Sequence, residues 1–111
     1  MTFRRITEDY AVAGQIGAAD IAAIKQAGFK SVISNRPDAE DGTVPHDEVE
    51  KAARAAGLEF RYIPVVGGQM TQDDVDEQAK ALAEMPKPVL AYCRSGARCT
   101  NLYMLVRQQH G

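Results

Sequence analysis

The sequence predicts a single-domain α/β fold over residues 1–111, with a mostly parallel sheet of four to five strands and helices on both faces. Short stretches rich in β-branched and aromatic residues alternate with longer amphipathic stretches, which is the order that places helices between parallel strands. Pro, Gly and Asp mark the junctions between these stretches. The length is that of one ordinary domain with one core.

Five stretches have the composition of strands, because β-branched and aromatic residues dominate them and turn residues bound them. The first two form an N-terminal strand or hairpin, and the last is the most uniformly apolar. They are FRRI (3–6), YAVA (10–13), KSVISN (30–35), LEFRYIPVV (58–66) and PVLAY (88–92).

Four stretches have helical spacing of apolar residues or helix-end signals such as a Thr N-cap, early acids and a final Gly. They are AADIAAIKQAG (18–28), HDEVEKAARAAG (46–57), TQDDVDEQAKALAEM (71–85) and TNLYMLVRQQ (100–109). Between the first two helices, RPDAEDGTVP (36–45) is rich in Pro, Asp and Gly and is predicted to be a loop.

Composition and charge narrow the classes of function. Apolar residues make up 45% and charged residues 25% of the chain, and no apolar run is long enough to span a bilayer. No apolar segment follows the N-terminal arginines, so we expect a cytoplasmic protein whose two cysteines stay reduced. The segment 85–111 holds four basic side chains and no acid, which suits a small anion better than nucleic acid.

The segment AYCRSGARCTN (91–101) carries the strongest chemical signal, because it runs from a buried strand through a basic loop into a helix. The free N–H groups of a helix N-terminus attract anions. A thiol placed there has a lowered pKa and is a nucleophile at neutral pH. The predicted catalytic residues are Cys93 and Arg98. The predicted anion-binding loop comprises Arg94, Ser95, Gly96, Ala97 and Cys99.

Two of these assignments have a simpler alternative. Cys93 alone could be a small buried hydrophobe, but its place between a strand, a glycine, two arginines and a helix favours a reactive role. Cys99 is expected in the first helical turn, where packing is its simplest role. Its functional alternative is a resolving thiol that takes up a disulfide or a sulfur from Cys93.

These residues also carry a family resemblance. The loop CRSGAR resembles the active loop of rhodanese-type sulfurtransferases. Nearly the whole chain resembles the phosphatase-like domain of the beta-lactamase hydrolase-like protein family, through YAVAGQI, SVISNRPDAED, AAGLEFRYIPV and PVLAYCRSGAR. The resemblance implies a cysteine-phosphatase-like fold, and a persulfide dioxygenase as a partner.

The resemblance is compatible with two reactions, phosphoester hydrolysis and sulfur transfer. Cysteine-dependent phosphatases have five residues between Cys and Arg, whereas four lie between Cys93 and Arg98, as in rhodanese-type loops. Phosphatases also use an aspartate after the preceding strand, where this chain has Gly67-Gly68-Gln69, and a histidine where it has Tyr92. Asp73 and Asp74 are the remaining acid candidates, although they are better explained as helix-capping charges.

We therefore expect a sulfurtransferase that moves sulfane sulfur from thiosulfate or glutathione persulfide to a thiol or cyanide through a Cys93 persulfide. The alternatives are a cysteine-dependent hydrolase of a small phosphoester and a reactive-sulfur sensor without turnover. Asn35 and Arg36 are candidate accessory residues, and Glu40 is a candidate partner of Arg36. His46 and His110 lack ligand spacing, so no metal or other cofactor is expected.

Overall fold

The five strands form one sheet in a computed structural model that describes all 111 residues. Their order across the sheet is β1-β2-β5-β3-β4, with β1 antiparallel to β2 and every other pair parallel. The strands are β1 Arg4–Thr7, β2 Tyr10–Ala13, β3 Ser31–Ser34, β4 Glu59–Tyr62 and β5 Val89–Tyr92. The predicted mostly parallel α/β sheet is confirmed.

Four α-helices connect and follow the strands, and a single 3₁₀ turn at Ala18–Asp20 leads into the first of them. They are α1 Ile21–Gln26, α2 His46–Ala55, α3 Gln72–Glu84 and α4 Ala97–His110. Thr71 caps α3 and accepts a hydrogen bond from the Asp74 N–H, while the Asp74 carboxylate accepts one from the Thr71 N–H. None of the helices combines the length and apolarity that crossing a bilayer requires.

The helices pack on both faces of the sheet. On one face, buried residues of α1 and α2 such as Ile24 and Val49 join a cluster with Val32 of β3. On the other face, Ala81 of α3 and Cys99 of α4 pack against Ile33 of the same strand. Successive residues of a buried parallel strand point to opposite faces, so neighbouring side chains of β3 belong to different cores.

The central strand β5 sets the relative positions of the loops that follow β2, β3 and β5. Its last residue, Tyr92, lies in register with Ala13 of β2 on one side and Ser34 of β3 on the other. Hydrogen bonds continue past the strand ends, from the Cys93 N–H to the Ala13 carbonyl and from the Asn35 N–H to the Tyr92 carbonyl. The loops after β2, β3 and β5 therefore leave the sheet side by side.

A buried polar network ties this edge of the sheet to α3. Gln78 of α3, which is fully buried, exchanges hydrogen bonds with the Asn35 side chain at 2.9 and 3.2 Å and reaches the Tyr10 hydroxyl at 3.4 Å. Asn35 also donates to the Ile63 carbonyl at 3.0 Å, and Tyr10 donates to the Cys99 carbonyl at 2.9 Å. Each buried polar group of this network has a partner, as stability requires.

Replacing Gln78 by alanine is expected to lower the free energy of unfolding by roughly 2–4 kcal/mol, because it leaves the Asn35 amide partly unpaired and opens a cavity. Urea unfolding followed by circular dichroism measures this change. Glu77→Ala is the matched control, since Glu77 is exposed on the same helix and should change stability by less than about 0.5 kcal/mol. Equal effects of the two substitutions would contradict a structural role for the network.

Candidate active site

The loop from Cys93 to Arg98 joins β5 directly to α4 and wraps its backbone N–H groups around the Cys93 sulfur. The Gly96 N–H lies 3.1 Å from Cys93 Sγ and donates to it. Gly96 has a φ of 92°, in the left-handed region that glycine adopts without strain. The turn brings the loop amides inward and starts α4 at Ala97, three residues before the stretch with helical apolar spacing at 100–109.

The Cys93 thiol is strongly acidified, with its pKa lowered to about 5. The largest cause is a hydrogen bond from the Cys99 thiol. Burial opposes the shift, and the backbone N–H groups of Cys99, Ser95 and Gly96 reinforce it. Donors directed at a thiolate stabilise its charged form. Cys93 is therefore ionised at neutral pH, as the loop pattern predicts for a nucleophile.

Cys99 keeps its thiol proton, in contrast to Cys93. Burial raises its pKa well above the usual value, and its hydrogen bond to Cys93 raises it further. Cys99 is fully buried in the first turn of α4, where its backbone carbonyl accepts from the Tyr10 hydroxyl. It thus packs in the core, as its simpler interpretation predicts, and its thiol also donates a hydrogen bond to the neighbouring thiolate.

The Arg98 guanidinium is fixed by contacts on one of its edges. Its Nη1 donates to Glu40 Oε2 at 2.8 Å and to the Val65 carbonyl at 2.9 Å, and its Nη2 lies 3.4 Å from Glu40 Oε1. Its Nε–H has no partner in the protein. The predicted anion clamp is therefore held in place by a carboxylate from the loop after β3.

Arg36 holds Glu40 from the other side. Its Nε donates to Glu40 Oε1 at 3.0 Å, its Nη1 to Gln15 Oε1 at 2.9 Å and its Nη2 to the Asp41 carbonyl at 2.7 Å. Partial burial would raise the pKa of Glu40, but hydrogen bonds from Arg98 and then Arg36 outweigh it and lower the pKa. Glu40 therefore stays charged between the two arginines.

A pocket of about 560 Å³ opens beside Cys93, and it is lined by the loop after β4, the loop after β5 and one face of α4. Arg98 is its only basic lining residue. The lining residues are Val66, Gly67, Gly68, Met70, Cys93, Ser95, Ala97, Arg98, Asn101 and Leu105. Most of these side chains are small or apolar.

The other residues singled out in the sequence divide between the pocket and its surroundings. The Arg94 side chain is exposed, and its carbonyl accepts from the Gln15 N–H at 3.4 Å. Ser95 lines the pocket, and its hydroxyl accepts from the Ala97 N–H at 3.3 Å. Asn35 is buried in the network with Gln78, and Arg36 acts on the site through Glu40.

The pocket lining does not include the three residues compared above with the phosphatase pattern, which are Asp73, Asp74 and Tyr92. Asp74 caps α3 together with Thr71, and Asp73 is exposed one residue before it. The Tyr92 side chain packs in the core on the side of α1 and α2, where its hydroxyl has no hydrogen-bond partner and burial raises its pKa to about 12.

The two histidines form pairs instead of joining a cluster. His46 Nδ1 lies 2.6 Å from Asp38 at the start of α2, and His110 Nε2 lies 3.3 Å from Asp76 at the end of α4. No group of three or more His, Cys, Asp or Glu side chains has an arrangement that could hold a metal ion.

Sequence reasoning missed two residues that shape the loop. A Cβ on Gly14 would lie 3.0 Å from the Arg94 carbonyl oxygen, so a glycine allows the loop after β2 to pack against the active loop. Gln15, the next residue, holds Arg36. The segment YAVAGQI contains both residues, and the glycine directly after a strand is the signal that could have identified them.

Known proteins share both the sequence and the fold of this domain. Residues 2–110 match the family model described as beta-lactamase hydrolase-like protein, phosphatase-like domain. A beta-lactamase hydrolase-like protein from Agrobacterium fabrum is 41% identical over 102 residues, which are 91% of this chain and 24% of that protein. The chain thus spans about a quarter of the length of the curated relatives it matches.

Solved structures extend the comparison. A candidate phosphatase from Neisseria meningitidis superimposes with a TM-score of 0.88 at 31% identity, covering 100% of this chain and 80% of that one. The core catalytic domain of the PP-IP phosphatase Siw14 from S. cerevisiae, in complex with citrate, has a TM-score of 0.75 at 14% identity, covering 96% and 64%. The second likeness shows that the fold is that of cysteine phosphatases.

Proposed function

Because this chain belongs to the family of phosphatase-like domains of beta-lactamase hydrolase-like proteins, we propose that it is a cysteine-dependent enzyme that transfers sulfane sulfur through a Cys93 persulfide. The observation that carries the proposal is a thiolate at neutral pH in a pocket whose lining contains no carboxylic acid. A thiolate attacks sulfur or phosphorus, but the two reactions differ in what the leaving group needs.

The leaving group favours sulfur transfer. Sulfite or a thiolate leaves a sulfane donor as a stable anion and needs no proton, whereas an alkoxide leaving a phosphoester is helped by a general acid worth ~10²–10⁴-fold. The loop facing Cys93 has Gly67, Gly68 and Gln69 where phosphatases carry that acid. The lack of an acid at this position favours sulfur transfer over phosphoester hydrolysis.

The charge and size of the loop support the same reaction. With four residues between Cys93 and Arg98, the loop is one residue shorter than the phosphatase loop that surrounds a phosphoryl group. Arg98 is also paired with Glu40, which reduces the positive charge available to a phosphate dianion.

The reaction proceeds in two half-steps, each of which forms one bond to sulfur and breaks another. The Cys93 thiolate attacks the outer sulfur of the donor, the donor's S–S bond breaks, and sulfite or a thiolate leaves with the electron pair. An acceptor thiolate or cyanide then attacks the terminal sulfur of the persulfide and releases the Cys93 thiolate. The loop N–H groups that stabilise the thiolate also suit the persulfide anion.

Phosphoester hydrolysis is the second candidate, and the fold favours it. The chain shares its fold with a PP-IP phosphatase, and Cys93 and Arg98 have the residue types of a phosphatase nucleophile and anion clamp. In this reaction Cys93 would attack phosphorus, and water would hydrolyse the phosphocysteine.

Intact mass spectrometry separates the two candidates. We expect the reduced protein to gain about 32 Da, one sulfur, on incubation with thiosulfate or glutathione persulfide. The gain should map to Cys93 and disappear on addition of cyanide or a thiol. Absence of an adduct with both donors, together with turnover of p-nitrophenyl phosphate, would replace sulfur transfer by hydrolysis.

A further inference from the structure

We propose that Glu40 and Gly67 tune Arg98 for a singly charged sulfane donor that carries an apolar group, such as an organic thiosulfonate, in preference to the thiosulfate dianion. The inference rests on the proposed sulfur transfer and adds its substrate class. Three features of the pocket carry it: the contacts of Arg98, the charge around it and the lining.

The first feature is the free edge of the Arg98 guanidinium. Glu40 and the Val65 carbonyl occupy both Nη1 hydrogens and approach one Nη2 hydrogen. The Nε–H and the other Nη2 hydrogen, which lie on a common edge, have no protein partner. Such an edge binds two oxygens of one oxyanion, as a bidentate fork does.

Gly67 keeps that edge accessible. A Cβ at this position would lie 3.3 Å from Arg98 Nη2 and within 3.9 Å of its Nε, closer to the guanidinium than most Cβ atoms approach a neighbour. Gly67 does not have a positive φ, so the backbone does not require a glycine there. The missing side chain leaves room beside Arg98 for a ligand.

The second feature is charge. The pocket contains the Cys93 thiolate and Arg98, and Glu40 pairs with Arg98 at 2.8 Å with 26% of its side chain exposed. Arg36 lies behind Glu40 and is 6% exposed at its side chain. A dianion entering this pocket meets the Cys93 thiolate in the lining and an Arg98 guanidinium whose charge is already paired with Glu40, so one charge is tolerated better than two.

The third feature is the lining. The lining includes three larger apolar side chains, Val66, Met70 and Leu105. Val66 is 52% exposed, so its apolar surface is available to a ligand. A volume of about 560 Å³ is in the range of pockets for organic ligands and exceeds what an inorganic anion fills.

Benzenethiosulfonate and thiosulfate form a suitable pair of probes. The first has one negative charge and a phenyl ring, the second has two charges and no apolar group, and both present a terminal sulfur bonded to an oxidised sulfur. Attack by the Cys93 thiolate breaks that S–S bond, leaves the persulfide anion on Cys93, and releases benzenesulfinate or sulfite with the bonding electrons. Each rate is divided by that of the same donor with free cysteine.

After that correction, we expect kcat/KM for benzenethiosulfonate to exceed that for thiosulfate by roughly tenfold or more. Glu40→Gln keeps the size of the side chain and one accepting oxygen, but it replaces the other oxygen with an N–H donor and removes the charge, so it should raise kcat/KM for thiosulfate by about tenfold and reduce the preference. A purely structural role of Glu40 would lower both rates together.

Gly67→Ala should raise KM for both donors about tenfold, because it crowds Arg98, while alkylation of Cys93 by neutral iodoacetamide keeps its wild-type rate. Gly17→Ala is the matched control, since no atom lies within 4 Å of the added Cβ. Persulfide formation with equal use of both donors, or an unchanged donor ratio in Glu40→Gln, overturns the inference alone. Failure of both donors to form a persulfide overturns the proposed function as well.

Discussion

Cys93→Ser is expected to slow persulfide formation by at least about a thousandfold, because a hydroxyl is not ionised at neutral pH and does not attack sulfane sulfur. Serine is nearly isosteric with cysteine, and its oxygen still accepts from the Gly96 N–H. We therefore expect the variant to fold normally. Rapid-quench mass spectrometry measures the rate, and far-UV circular dichroism checks the fold.

Cys99→Ser is the matched control for that experiment. It removes the other of the two sulfhydryl groups but leaves the nucleophile and a hydrogen-bond donor in place. The control should form the adduct at a rate within about tenfold of the wild type. If Cys93→Ser formed the adduct and Cys99→Ser did not, Cys99 would be the nucleophile and the assignment of the loop would be wrong.

The features that the sequence predicts well are those that depend on neighbouring residues along the chain. Strand and helix order follows from local composition, and so does the placement of Cys93 at the end of a buried strand before a helix. The stretch with helical apolar spacing starts at Thr100 in the sequence, with Cys99 expected in the first turn of the helix, whereas α4 begins at Ala97 because Gly96 turns the chain at once. The predicted strand 58–66 is longer than β4, which ends at Tyr62, although the Ile63 and Val65 N–H groups still donate to the Ser34 and Asn35 carbonyls.

The electrostatics of the site could not be predicted in the same way. Net charge along the chain indicated a basic segment around Cys93, but Glu40, 58 positions before Arg98, folds back and pairs with it. Only the order of the strands brings the loop after β3 beside the loop after β5. The Cys99 thiol likewise has a role that depends on the geometry of one helical turn and not on its spacing from Cys93 alone.

The low pKa of Cys93, to which the Cys99 thiol contributes, also predicts how the alkylation rate of Cys93 depends on pH. With a pKa of about 5, Cys93 should react with iodoacetamide at nearly equal rates at pH 6 and pH 8. An ordinary thiol with a pKa of ~8.5 would react roughly 75 times faster at pH 8, because its thiolate fraction rises over that range. Competition with free cysteine at each pH measures the profile.

Cys99→Ala removes the largest contribution to the low pKa of Cys93, so the alkylation rate of the variant should rise between pH 6 and pH 8. Cys99→Ser restores a donor at the same position and should return the profile toward the flat form of the wild type. A flat profile in Cys99→Ala would mean that the loop N–H groups are sufficient to ionise Cys93. The buried thiol would then have only a packing role, because its proton would not be needed to keep the nucleophile charged.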